Sequence, residues 1–207
     1  MIKQLLTPCL AAIALFTLTS TLSAQSVKVE SGDLGFLKGE TTLNVEFVYD
    51  GLMVGKMTEQ AYIDKHVSEA NAKQAGTGDQ WLEKWKSDRA QHYEPKFAEL
   101  MNKQFADRKA ALKLDHDPAA KYTLVLKTTN LDPGFNIGIM RAPASVSTSA
   151  EFYDTKDRSK TLAVVTILKA PGRDGMGYDF DAGYRLQEGY AKTGKELGGL
   201  ICKKALK

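Results

Sequence analysis

Apolar and polar positions alternate with a period of two in three stretches of this chain. In Thr41–Tyr49, Leu43, Val45, Phe47 and Tyr49 fall on one side, and Thr42, Asn44, Glu46 and Val48 on the other. In Tyr122–Thr129, Leu124, Leu126 and Thr128 oppose Thr123, Val125 and Lys127. In Ser145–Tyr153, Val146, Thr148, Ala150 and Phe152 oppose a polar row of Ser145, Ser147, Ser149 and Glu151. That spacing predicts strands with one covered and one wet face. Thr161–Lys169 differs, with Leu162, Val164 and Leu168 against Ala163, Val165 and Ile167. A strand apolar on both faces is expected away from the sheet edge. The polar link from Asp154 to Lys160 suits an antiparallel hairpin. Asp50-Gly51 signals a turn, after which Leu52–Gly55 reads either as a short return strand or as an extended link.

Between the first two of these strands the period changes to that of helices. Thr58 is placed as an N-cap, with Glu59 in the first turn, and Ile63, Val67 and Ala70 mark an apolar line to about Lys73. A second helix is expected from an Asp79 cap, carrying Trp81, Leu82, Trp85 and Arg89 on one side. Pro95 has no amide proton, so the helix must kink or restart there before Phe97, Leu100, Met101 and Phe105 continue the stripe. A last helix is expected from about Asp181 to Ala205, lined by Leu186, Tyr190, Leu197 and Ile201. It contains Gly189, Gly194, Gly198 and Gly199, each costing roughly 1 kcal/mol against Ala in a helix interior. Close approach of its backbone to the sheet is the expected return, with fraying as the alternative at Gly198-Gly199.

Strand, two helices, three strands and a helix imply an α+β fold. We expect a mixed, mostly antiparallel sheet of about four strands, with helices packed mainly on one face. A parallel crossover joins the first strand to Tyr122–Thr129, and an antiparallel meander follows.

The N-terminus changes the setting. Lys3, an apolar run from Leu5 to Leu22 and the small Ala24 have the form of a signal peptide, so residues 1–24 are expected to be removed. Residues 25–207 then form one α+β domain. Cys9 lies too early, behind Pro8, for a lipidation site, and Cys202 remains as a packed thiol with no disulfide partner. No later segment approaches the ~18 consecutive apolar residues of a membrane helix. The net charge is +3, falling to +2 without Lys3, and the charges are interspersed. There is no basic stripe of the kind nucleic acids require.

Chemistry is sparse. Asp115-His116-Asp117 reads as a polar turn rather than a metal site. Asp179-Phe180-Asp181 lacks the further acids of a calcium loop, with Tyr190 at its twelfth position. No nucleophile elbow, Cys–His pairing or phosphate-binding glycine loop is present, so no catalytic residue, metal or cofactor is assigned. Trp81 and Trp85 stand one turn apart. Exposed, they would stack on sugar rings or a partner; on an amphipathic helix the same spacing more often builds core. The stretch from Pro133 to Arg141 is long for a strand connection and offers Phe135, Asn136, Ile137, Ile139, Met140 and Arg141 as a binding element.

Several segments also carry a resemblance: Gly32-Asp33-Leu34-Gly35-Phe36-Leu37-Lys38-Gly39, Val54-Gly55-Lys56, Gly78-Asp79-Gln80-Trp81-Leu82-Glu83-Lys84-Trp85, Asp88-Arg89 and Glu94-Pro95-Lys96-Phe97. Together they resemble an uncharacterised family of exported Bacteroidetes proteins. The C-terminal half, with its Pro133-Gly134 loop, strand–hairpin–strand and closing helix ending Gly194-Lys195-Glu196-Leu197, is similar to secreted domains with a sheet like that of the TolB N-terminal domain. The resemblance implies a Gram-negative envelope setting, periplasmic or secreted, and supplies no catalytic residues. The resulting expectation is an exported, non-enzymatic binding or structural module whose partner is an envelope protein or other cell-surface component. The alternative is a carboxylate-based hydrolase of envelope or dietary polysaccharide.

Overall fold

The computed structural model describes residues 25–136, 141–172 and 181–206. The expected signal peptide, residues 1–24, lies outside them.

Strand β1 (Ser26–Gly32) is followed by a 3-10 turn (Gly35–Leu37), β2 (Thr42–Val48), and a tight hairpin of β3 (Met53–Val54) and β4 (Met57–Thr58). Helix α1 (Glu59–Lys73), helix α2 (Thr77–Asp88), a π-turn (Arg89–Tyr93) and helix α3 (Glu94–Asp107) come next. Then follow β5 (Lys113–Asp115), β6 (Tyr122–Asp132), the small pair β7 (Phe135–Asn136) and β8 (Arg141–Ala142), β9 (Ala144–Asp154), β10 (Thr161–Gly172) and α4 (Ala182–Lys204).

The sheet corrects the expectation of about four strands: it has eight, in the order β1-β10-β9-β6-β2-β5, with β3 beside β6 and β4 beside β3. The four expected strands are present as β2, β6, β9 and β10. β2 runs parallel to β6, and β6-β9-β10 is an antiparallel meander. The added strands are those with little apolar signal. β1 is almost wholly exposed and is held by its antiparallel ladder to β10. β5 has three residues, and β3 and β4 have two each. Backbone pairing makes these strands, with Val54 and Leu114 their only buried side chains.

Leu124, Leu126, Val146, Ala150, Phe152, Val165 and Ile167 are fully buried and form the covered face of the sheet. Among the described residues, no helix lies over the opposite face. Leu162 and Val164 are half-buried there, and Leu168 is 45% exposed. The second apolar face of β10 is thus partly wet, although β1 keeps β10 off the edge.

The covering layer is a pair of parallel helices. Tyr93 stacks on Tyr190 at 4.9 Å, and Cys202 Sγ approaches Gln104 O at 3.8 Å. A Cβ on Gly194 would lie 2.2 Å from Phe97 O, and one on Gly198 would lie 3.0 Å from Met101 O. Positions rise together along both helices, so α3 and α4 run side by side in the same direction. Only Gly189 meets the sheet, where a Cβ would fall 2.5 Å from Val146 Cγ2. The expected close approach therefore exists, but its main target is α3. Gly198 is packed rather than frayed.

Capping differs in one place. Thr58 caps α1, accepting from Ala61 N at 3.3 Å, and Asp181 caps α4, accepting from Gly183 N at 2.7 Å. The second helix is not capped by Asp79. It starts at Thr77 behind Gly76, whose φ of 84° a side chain would strain, and Asp79 lies in its first turn.

Candidate functional site

The break around Pro95 shapes the site. Pro95 has no N–H to continue the α-helical ladder, and the turn before it widens into a π-turn in which Glu94 N donates to Arg89 O. The extra residue re-aims the helix. Before it, Trp81 and Trp85 face α1; after it, Tyr93, Phe97 and Met101 face α4.

At the turn, an open groove of about 560 Å³ runs between the β2–β3 connection, the start of α1 and the end of α2. Tyr49, Leu52, Glu59, Ile63, Lys86 and Arg89 line it. Two of its charges, Glu59 and Arg89, are engaged with each other. Trp85 Nε1 donates to Glu59 Oε1 at 2.7 Å, and Arg89 donates to the same oxygen. The Arg89 guanidinium lies 4.1 Å over the Tyr49 ring. Tyr49 OH donates to Glu94 Oε1 at 3.1 Å. Behind this chain Tyr190 OH bonds Thr128 Oγ1 at 2.7 Å in the core.

The phenols are held protonated. Burial, then the neighbouring Tyr190 and Glu94, push Tyr49 far above the ordinary phenol range. Burial first, then nearby Asp88, does the same to Tyr93, and burial does so to Tyr190. None of them is a base at any ordinary pH.

A second polar cluster ties α2 to the start of α4. Lys84 Nζ lies 3.0 Å from the buried Asp88 and 3.4 Å from Asp181, and His92 Nε2 is 3.6 Å from Asp88. Burial opposes the charge of Lys84, but bonding to Asp88 and Asp181 outweighs it and raises the lysine above its ordinary value. Among the described residues, no three His, Cys, Asp or Glu side chains converge as a metal site.

The residues singled out in the sequence fall in two places. Trp85 is buried, with 6% exposed, while Trp81 is half-buried. His66 lies parallel to Trp81 at 4.6 Å and Trp85 nearly parallel at 5.5 Å, so Trp81 stacks on rings of the protein itself. Phe135, 44% exposed, sits on the β7–β8 hairpin, which is separate from the main sheet. Asn136 and Arg141 pair across that hairpin, and Ile137, Ile139 and Met140 lie outside the described residues. Arg185 fastens its base, donating from Nε and Nη2 to Pro133 O at 3.1 and 2.9 Å. Trp81 and Trp85 pack against α1, whereas the base of the hairpin is fastened to α4.

Sequence reasoning missed the Glu59–Arg89–Tyr49–Glu94 chain as a unit. Its one local signal is Arg89 continuing the Trp81, Trp85 stripe: a cation aligned with apolar residues implies a partner acid or ring across the interface.

No protein-family model matches the chain, and no curated protein matches it. Among solved structures it is similar to the PelC dodecamer from Paraburkholderia phytofirmans. One such structure, of a point variant, is 11% identical, with a TM-score of 0.37 over 89% of this chain and 100% of that one. Another is 10% identical, with a TM-score of 0.38 over 88% of this chain and 99% of that one. At this identity and superposition, the likeness assigns the chain no activity, partner or assembly.

Proposed function

We propose that this chain is an exported, non-enzymatic binding or structural module of the bacterial cell envelope, with the groove at the π-turn and the Phe135 hairpin as its contact surfaces. The observation that carries this reading is the engagement of Glu59. A hydrolytic carboxylate must exchange a proton or attack substrate. Glu59 instead accepts from both Trp85 and Arg89, and Glu94 accepts from Tyr49. Such a groove offers fixed donors and acceptors around a floor of Leu52 and Ile63. Export is supported by the charge, apolar run and small residue of the first 24 positions.

The test is capture of a component from the organism's own envelope by the exported protein, compared with Lys86→Glu and Phe135→Asp, both at exposed positions. Recovery that either substitution abolishes, with folding intact, is the expected result. Release of sugar reducing ends by the wild-type protein but not by folded Glu59→Gln would establish the hydrolase reading and refute this one.

A further inference from the structure

At the far end of α3 from Glu94, two hollows of about 350 and 450 Å³ share Arg108, Gly199 and Lys203. Both lie at the C-terminal ends of α3 and α4, and the smaller also reaches Val27 on the edge strand β1. Lys195 adds a third cation to one of them. The acid in that lining, Glu196, is engaged by Lys192 at 2.6 Å. Val27 and Leu200 supply apolar surface in one hollow, and Ala110 and Leu206 in the other.

Arg108 is the organising residue. Its Nη1 donates to Gln104 Oε1 at 2.5 Å and to Gln104 O at 3.3 Å. Gln104 is only 8% exposed, so it holds the guanidinium in place without neutralising it. Arg89 and Arg158, by contrast, each face a carboxylate. Gly199 leaves the space beside Arg108 open: a Cβ there would still be 3.7 Å from Nη2. Lys203, in the last turn of α4, partly offsets the negative end of that helix, and among the described residues no carboxylate pairs with Arg108 or Lys195.

We propose that this groove binds a phosphate group, with Arg108 as the fork and Lys195 and Lys203 as flanking charges. A fixed guanidinium matches phosphate oxygens two at a time, and three cations around one hollow exceed what a single carboxylate balances. The adjoining apolar surface suits a phosphate carried on a lipid, while a free phosphate ester has the same headgroup chemistry.

The experiment titrates the exported protein with inorganic phosphate and glycerol 3-phosphate. It also measures binding to phosphatidylcholine vesicles with and without phosphatidylglycerol. The expected result is binding that Arg108→Gln weakens by about tenfold, the loss of one charge-assisted contact. Lys160→Gln removes the same charge from an exposed loop and leaves binding unchanged. Gly199→Leu keeps every charge, fills the hollow and abolishes binding, so the test survives any misfolding of the arginine variant. Partition onto phosphatidylglycerol vesicles alone identifies a lipid source, and binding of the soluble esters without partition identifies a free one. No binding to any probe, or equal losses for Lys160→Gln and Arg108→Gln, would overturn the proposal.

Discussion

Replacing Gly194 by Ala tests the parallel helix pair directly. The added Cβ would sit 2.2 Å from Phe97 O and 3.1 Å from Phe97 C. Ordinary carbon–oxygen contact begins near about 3.3 Å, so α3 and α4 must part by about 1 Å. The obstacle is main chain in the middle of a helix and has no rotamer to escape into. Overpacking of this kind costs about 3 kcal/mol, the upper end of the usual range, and better helix propensity returns about 1 kcal/mol. The net loss is about 2 kcal/mol, or about 4–8 °C in Tm for a domain of this size. Gly199→Ala is the matched control. Its Cβ would meet nothing closer than 3.7 Å, so the propensity gain of up to about 1 kcal/mol should raise Tm by about 2–4 °C. Thermal and urea unfolding followed by far-UV circular dichroism measure both. A Gly194→Ala protein as stable as wild type, or equal losses from the two substitutions, would refute the packing described for α3 and α4.

Three further outcomes follow from the same geometry. Glu59→Gln leaves Arg89 and Trp85 facing a neutral amide in a half-buried site and should cost about 1–2 kcal/mol in urea unfolding; an unchanged midpoint would remove the groove's central contact from the account. Tyr190→Phe and Thr128→Val should each cost about 1–2 kcal/mol, and the double variant should cost clearly less than their sum, because each single change strands a buried hydroxyl; strict additivity would contradict the bond. His66 is depressed, first by burial in the aromatic stack, so the unfolded chain binds its proton more readily than the folded one. Stability from this group is complete above the unfolded value near 6.5 and is lost as pH falls from there through the depressed folded value. His66→Gln should therefore flatten the pH dependence of Tm just below pH 6.5, and an unaltered slope would argue against it.

How legible the fold was depended on where its strands get their stability. β6, β9 and β10 bury one row each against the helices: Leu124 and Leu126, Val146 and Phe152, and Val165 and Ile167; in β6 and β9 that row is written as alternation. β1 reads Ser-Val-Lys-Val-Glu-Ser-Gly and is exposed along nearly its whole length. Its stability comes from main-chain bonds to β10, to which side-chain patterning is blind. β5 is similar: Leu114 is its only buried residue, and Asn102 brackets it with bonds to Leu114 N and O at 2.8 and 2.9 Å. The glycines of α4 announced a close contact but not its target, because helical spacing says that a face is flattened and not which element lies against it.

The candidate site was less legible for a related reason. Glu59 was readable as a first-turn acid, and Arg89 as one more position on a helical stripe; thirty residues separate them, and only the antiparallel return of α2 along α1 joins them. Pro95 supplied the missing geometric step. A straight helix through residues 77–107 would carry the Trp81–Trp85 line onward past Arg89, whereas the π-turn shifts the phase so that Arg89 still reaches Glu59 and Tyr93 already reaches Tyr190. One side of the helix thus serves two partners, α1 before the turn and α4 after it. The groove lies at the change of partner because α1 has only begun there, which leaves Tyr49, Lys86 and Arg89 among its walls.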